Sequence, residues 1–161
     1  MSIEASRQSG ADSVDEVAST LNGLIQTCKD GENGFKVAAE AVDDINLQHL
    51  LQSYSQQRSE FAAELQTEVQ RLDQDPARAG HVAAALHRGW MDIKSLATGR
   101  DEAGIIAECE RGEDVAVKAY DQALRSELPA DLRALVERQF LKVKDAHDQI
   151  RSLEQIHSRH R

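Results

Sequence analysis

Two carboxylates carry the strongest chemical signal in this chain. Glu32 closes the stretch Cys28-Lys29-Asp30-Gly31-Glu32, and Glu113 closes Cys109-Glu110-Arg111-Gly112-Glu113. The pattern Cys-x-x-Gly-Glu therefore occurs twice, 81 positions apart. Each glutamate interrupts an apolar stripe of helical period. Leu21, Ile25 and Cys28 precede Glu32, and Phe35, Ala39 and Val42 follow it; Ile106 and Cys109 precede Glu113, and Ala116, Tyr120 and Leu124 follow it. A carboxylate at a core position needs a cation beside it, because a buried unpaired charge is costly. That cation is either a basic side chain or a metal ion. Arg58 stands on a core line between Tyr54 and Phe61, and Lys144 and His147 occupy a later segment. Counting back from the intervening turns puts Glu32, Arg58, Glu113, Lys144 and His147 at about one height. The sequence thus predicts a single buried polar layer made of these five residues.

The elements that must hold this layer are all helical. Aromatic residues make up only 4% of the chain and prolines number two, which favours helices over strands. Residues 1–12 show no period and read as a disordered arm. The periodicity predicts long helices over 13–43, 46–74, 101–126 and 129–156, within a single domain over 13–157. Ser13-x-x-Glu16 reads as a capping box for the first, the Asp-Asp-Ile-Asn stretch at 43–46 as a turn, and Pro129 as a helix start. Between the second and third long helices, Val82, Leu86, Trp90, Ile93 and Ala97 fit one short helix ending at Gly99. A link of that length carries the chain back along a bundle, so the helices before and after it are expected to run parallel.

Sliding the third long helix onto the first by 81 positions also matches Gly23 with Gly104, Ile25 with Ile106 and Ala38 with Ala119. A shift of 86 sets Arg58 on Lys144 and Phe61 on His147. The pattern reads as a duplicated helical hairpin packed about a pseudo-two-fold axis. Mid-helix glycine costs about 1 kcal/mol relative to alanine, and its recurrence at matching places is expected to mark a close approach of the first and third long helices.

At 161 residues with a net charge of −9, the chain fits one acidic domain, not a phosphate-tracking nucleic-acid binder. It carries no run long enough for a membrane span and no signal-peptide core, so a soluble cytoplasmic protein is expected. Self-association is compatible with this composition. Two distant cysteines make no disulfide framework; Cys28 and Cys109 read as buried inert thiols, and the sharper alternative is a redox pair across the pseudo-axis. Trp90 reads as a packing anchor and His157 and His160 as a terminal helix end. His81 and His87 fall on the crossover.

The Gly-Glu pairs, the stretch Ala85-Leu-His-Arg-Gly-Trp-Met-Asp-Ile-Lys-Ser95, and the segment 135–151 resemble a bacterial family of ferritin-like four-helix bundles known as domain of unknown function 2383. The resemblance runs from Leu21 to Leu153. It implies a ferritin-like fold and supplies no activity. Ferritin-like di-iron proteins place a lone Glu on each of two helices and Glu-x-x-His on each of the others. Here the latter positions hold Arg58-x-x-Phe61 and Lys144-x-x-His147. Two glutamates facing Arg58 and Lys144 are already neutralised, and a metal entering there meets fixed positive charge. The favoured reading is therefore a non-enzymatic bundle without cofactor, in which an ion-pair layer replaces a di-metal site. The alternative is an iron- or manganese-binding protein using Glu32, Glu60, Glu110, Glu113 and His147.

Overall fold

A computed structural model describes the backbone of residues 2–72 and 87–159 and the side chains within 13–72 and 89–157. The regular structure among the described residues is all helical, with no strand among them. Helix α1 spans Ser2–Ala41 and α2 Ile45–Arg71. A 3-10 turn over His87–Trp90 leads into the short α3, Ile93–Thr98. Helices α4, Glu102–Arg125, and α5, Ala130–Arg159, complete the fold. The long helices match the expected ones to within a few residues, except at the N-terminus. There α1 runs back to Ser2, so residues 2–12 are helical where an unstructured arm was expected, and Ser13 lies inside the helix instead of capping it. Nothing in residues 2–12 breaks a helix by itself, because no proline occurs there.

The helix ends have local causes. Asp44 caps α2 by accepting from the Asn46 and Leu47 amides at 2.8 and 3.0 Å. Asp101 caps α4 through the Gly104 amide at 3.0 Å. The crossover is not one helix. Its 3-10 turn and α3 are separate, joined through Met91 and Asp92, while Val82 and Leu86 lie outside the described residues. Helix α3 ends in a Schellman arrangement: the Arg100 amide donates to the Ala97 carbonyl and the Asp101 amide to the Leu96 carbonyl. The left-handed residue this needs is Arg100, with φ 51°, and not the neighbouring Gly99.

Two apolar clusters fill the interior. One joins Leu21, Ile25 and Cys28 of α1 to Phe61, Leu65 and Val69 of α2, Ala116 and Tyr120 of α4, and Leu132 to Val143 of α5. The other joins Phe35 to Ala41 of α1 and the adjoining Val42, Leu47 to Tyr54 of α2, Ile105 to Cys109 of α4, and Ala146 and Ile150 of α5. The start of α2 thus shares a cluster with the start of α4, and the two helix ends share the other. Helices α2 and α4 run parallel, as expected, and α1 is antiparallel to both. Each fully buried Leu, Ile or Phe in these clusters contributes about 1.5–3 kcal/mol relative to exposure.

Candidate functional site

Where the two clusters meet, each long helix passes the boundary at a polar position: Glu32 between Cys28 and Phe35, Arg58 between Tyr54 and Phe61, Glu113 between Cys109 and Ala116, and Lys144 between Val143 and Ala146. At this boundary the side chains part company. Arg58 and Glu113 turn inward, 1% and 0% exposed, and form a two-pronged pair with Nη1–Oε1 at 2.5 Å and Nη2–Oε2 at 2.7 Å. Fork-to-fork geometry of this kind adds direction to charge and is stronger than a neutral hydrogen bond. Burial works against the Arg58 charge, but the Glu113 carboxylate and its hydrogen bonds offset this and hold the guanidinium pKa above its ordinary value. The Arg58 guanidinium also lies 5.4 Å from the centre of the Phe35 ring, and its stem packs against Gly31.

The other members of the expected layer lie elsewhere. Lys144 is exposed, its ammonium 5.6 Å from the Phe140 ring centre. Glu32 is half-buried, and its backbone carbonyl, not its carboxylate, accepts from the Ser55 hydroxyl at 2.8 Å. Placing Lys144 and Glu32 in a buried layer is thus corrected. A lysine stem can carry its charge out to water along an apolar surface, and a half-buried carboxylate retains its hydration. His147 is also outside the layer. It sits on the α4–α5 seam, where Nε2 meets Asp114 Oδ1 at 2.6 Å and Nδ1 meets Asp148 Oδ1 at 3.3 Å. Glu110 joins it there: one donor atom each from Glu110, Asp114 and His147 lies within 4.8 Å of the others. Glu60 faces solvent on α2 and accepts from Gln56 at 3.2 Å, so it reaches none of these groups. Glu32, Glu60, Glu110, Glu113 and His147 are therefore not one ligand set.

The interior holds a second polar chain that the sequence did not single out. Tyr120, buried on α4, donates to Gln139 Oε1 at 2.7 Å, and Cys28 Sγ lies 3.2 Å from the Tyr120 oxygen. Tyrosine has one proton to give, so the Cys28 thiol is the donor in that contact. Burial pushes the Cys28 thiol up to about 11. Burial, followed by the Glu113 and Glu108 charges, raises Cys109 as well. Both thiols are free and buried, in different clusters. Gln139 looked like an ordinary polar residue because only its approach to Tyr120 and Phe61, on other helices, gives it a role.

Glycines place the crossover against this centre. A Cβ on Gly34 of α1 or on Gly112 of α4 would collide with the Trp90 indole, and one on Gly89 would come within 2.7 Å of the Gly112 Cα. Trp90 is thus wedged between two helices and meets Phe35 edge-on at 5.0 Å. The repeated glycines do not mark a helix–helix approach: Gly112 admits Trp90, Gly31 faces Arg58, Gly104 faces Asp101 and Leu96, and Gly23 has open space. Glu108, buried beneath the crossover, accepts from the Asp92 amide at 2.5 Å and pairs with Arg111. His157 Nδ1 donates to the Leu153 carbonyl at 2.9 Å, and its Nε2 lies 3.9 Å from Glu102 Oε2. His81 and His160 lie outside the described residues, as does the side chain of His87.

No helix among the described residues is long and apolar enough to cross a membrane. No curated protein matches the chain. A family model matches residues 16–126, taking in most of α1, all of α2 and α4, and the crossover, so that Arg58, Trp90, Gly112 and Glu113 fall within the match while Gln139 and His147 fall beyond it. The chain belongs to the family described as domain of unknown function (DUF2383).

Proposed function

We propose that this chain is a ferritin-like bundle whose centre is closed by an ion pair in place of a pair of metal ions, and that it serves as a structural or interaction module, not as an oxidase. The observation that carries this reading is the buried Arg58–Glu113 pair. A di-metal centre gathers several carboxylates around two divalent cations. At the corresponding height Glu113 is fully buried, and a guanidinium already holds both of its oxygens. A cation approaching Glu113 meets the Arg58 charge first, in a medium where like charges repel strongly. The parallel run of α2 and α4 across a crossover supports the ferritin-like arrangement, as that connection is one of the known bundle topologies. A surface of net charge −9 favours a soluble, cytoplasmic module that does not engage nucleic acid.

Aerobic addition of Fe²⁺ to untagged protein tests this. Iron is expected to oxidise at the rate seen in buffer, with no saturable acceleration. Oxidation that saturates with iron and is lost in Glu113→Gln, with the fold retained, would overturn the proposal.

A further inference from the structure

The α4–α5 seam carries a group of donors independent of the buried pair. Glu110 and Asp114 are four residues apart on α4 and so share one helix face. His147 approaches from α5, and the three donor atoms lie within 4.8 Å of one another. Glu110 and His147 are half-buried and Asp114 is more exposed. Beside them opens a cleft lined by Asp92, Ser95, Gly104, Glu110, Asp114 and Glu154, so the group is reachable from solvent. Arg111, next to Glu110 on α4, is held by Glu108 and Asp92.

The imidazole is oriented from behind. Asp148 Oδ1 lies 3.3 Å from Nδ1, which directs Nε2 at Asp114, 2.6 Å away. Between Nε2 and a carboxylate oxygen at that distance a proton must bridge, since two lone pairs would repel. A divalent cation can replace that proton, releasing it to solvent on binding. Ligand bonds of about 2.0–2.1 Å to zinc put neighbouring ligand atoms roughly 3.3 Å apart in a tetrahedron. The Nε2–Asp114 pair has to widen by less than about 1 Å, and Glu110 to draw in by up to about 1.5 Å. Both are within the reach of side chains that are not packed in the core.

We infer that Glu110, Asp114 and His147 form a binding site for a first-row divalent cation, with Asp148 as the group that orients His147. One imidazole and two carboxylates suit zinc, manganese or iron(II), with zinc the tightest of these three. Three protein ligands beside an open cleft leave a coordination position for water or a small anionic ligand. The site is separate from Glu113 and stands whether or not the buried pair excludes metal from the core. Glu110 and Asp114 fall within the family match and His147 beyond it.

The test is competition for Zn²⁺ between untagged full-length protein and a chromophoric chelator. Wild type is expected to take up one ion per chain. His147→Ala and Asp114→Asn should each weaken binding at least tenfold, and Asp148→Asn about 10–100-fold, the usual effect of removing a partner of a ligating histidine. Glu113→Gln should bind as wild type does, which separates this site from the core. Co²⁺ added to wild type gives a second reading that needs no variant: intense visible bands, displaced by Zn²⁺, are expected. No uptake by wild type, uptake unchanged in His147→Ala, or only the weak spectrum of hydrated Co²⁺ would overturn the inference.

Discussion

The segments Cys28–Glu32 and Cys109–Glu113 spell the same pattern and meet different fates. Glu113 is sealed in the interior against Arg58, while Glu32 stays half-buried with its carboxylate outside the pair. Cys28 hydrogen-bonds to Tyr120, while Cys109 sits in the other cluster. Gly112 makes room for the Trp90 indole, and Gly31 only for the Arg58 stem. The cause lies in what each segment faces. Arg58 and its counterpart Lys144 come to the same boundary, but the guanidinium can bind a carboxylate with two parallel hydrogen bonds, and the ammonium cannot. One pair is buried and the other pair is left to water. Burying a second pair would add another desolvation penalty of several kcal/mol per ion.

The largest break in this comparison should come from the carboxylates. Glu113→Ala leaves Arg58 charged and unpaired in the interior and is expected to cost about 3–5 kcal/mol. Glu32→Ala should cost under about 1 kcal/mol, in the range of exposed charge changes. Denaturant unfolding of the two variants checks this directly. Equal losses would mean that Glu32 carries a role its burial does not reveal.

The glycines come next. Gly112→Ala should destabilise by about 1–3 kcal/mol through overpacking against Trp90, although alanine is the better helix former. In a Trp90→Ala background that loss should vanish, because the added methyl then has space. Gly23→Ala meets nothing and should instead stabilise by up to about 1 kcal/mol. Melts of the three single variants and the Gly112→Ala/Trp90→Ala double variant decide whether the wedge sets the cost.

A smaller effect is expected from alkali. The folded Cys28 thiol is held near 11 against an ordinary 9.0, so the folded state keeps a proton that the unfolded state has begun to lose. This contribution is fully present below about pH 9 and declines as pH rises towards 11. At neutral pH neither thiol should react with a maleimide until the protein unfolds. Rapid labelling of the folded protein would show that the clusters open. The smallest change is Arg100→Gly, which removes a left-handed non-glycine residue and should stabilise by about 1 kcal/mol.

Much of this architecture was legible in the apolar period, which fixed four long helices, their approximate ends and the parallel run of α2 and α4. An expected height for a polar layer was also legible, by counting residues along the helices. Which members turn inward was not. Glu32 and Glu113 have the same local sequence, and only the packing of Arg58 against Gly31 and Phe35 on the opposing helix distinguishes them. The glycines misled for a related reason. A missing side chain signals that something comes close, but not whether it is a helix or a tryptophan from a distant segment. Likewise Asp114 stands next to Glu113 without a motif, and it acquires significance only when α5 brings His147 to it.

The asymmetry between the two segments is tested most directly by paired double-mutant cycles at Arg58/Glu113 and Lys144/Glu32, read as unfolding free energies with alanine at each position. Buried charge partners should couple strongly, by about 2–3 kcal/mol, with the double variant less unstable than the singles imply. The second cycle should couple by no more than about 0.5 kcal/mol, as exposed or unpaired charges do. A 58/113 coupling as small as that of 144/32 would contradict the claim that one buried ion pair closes the centre of this bundle.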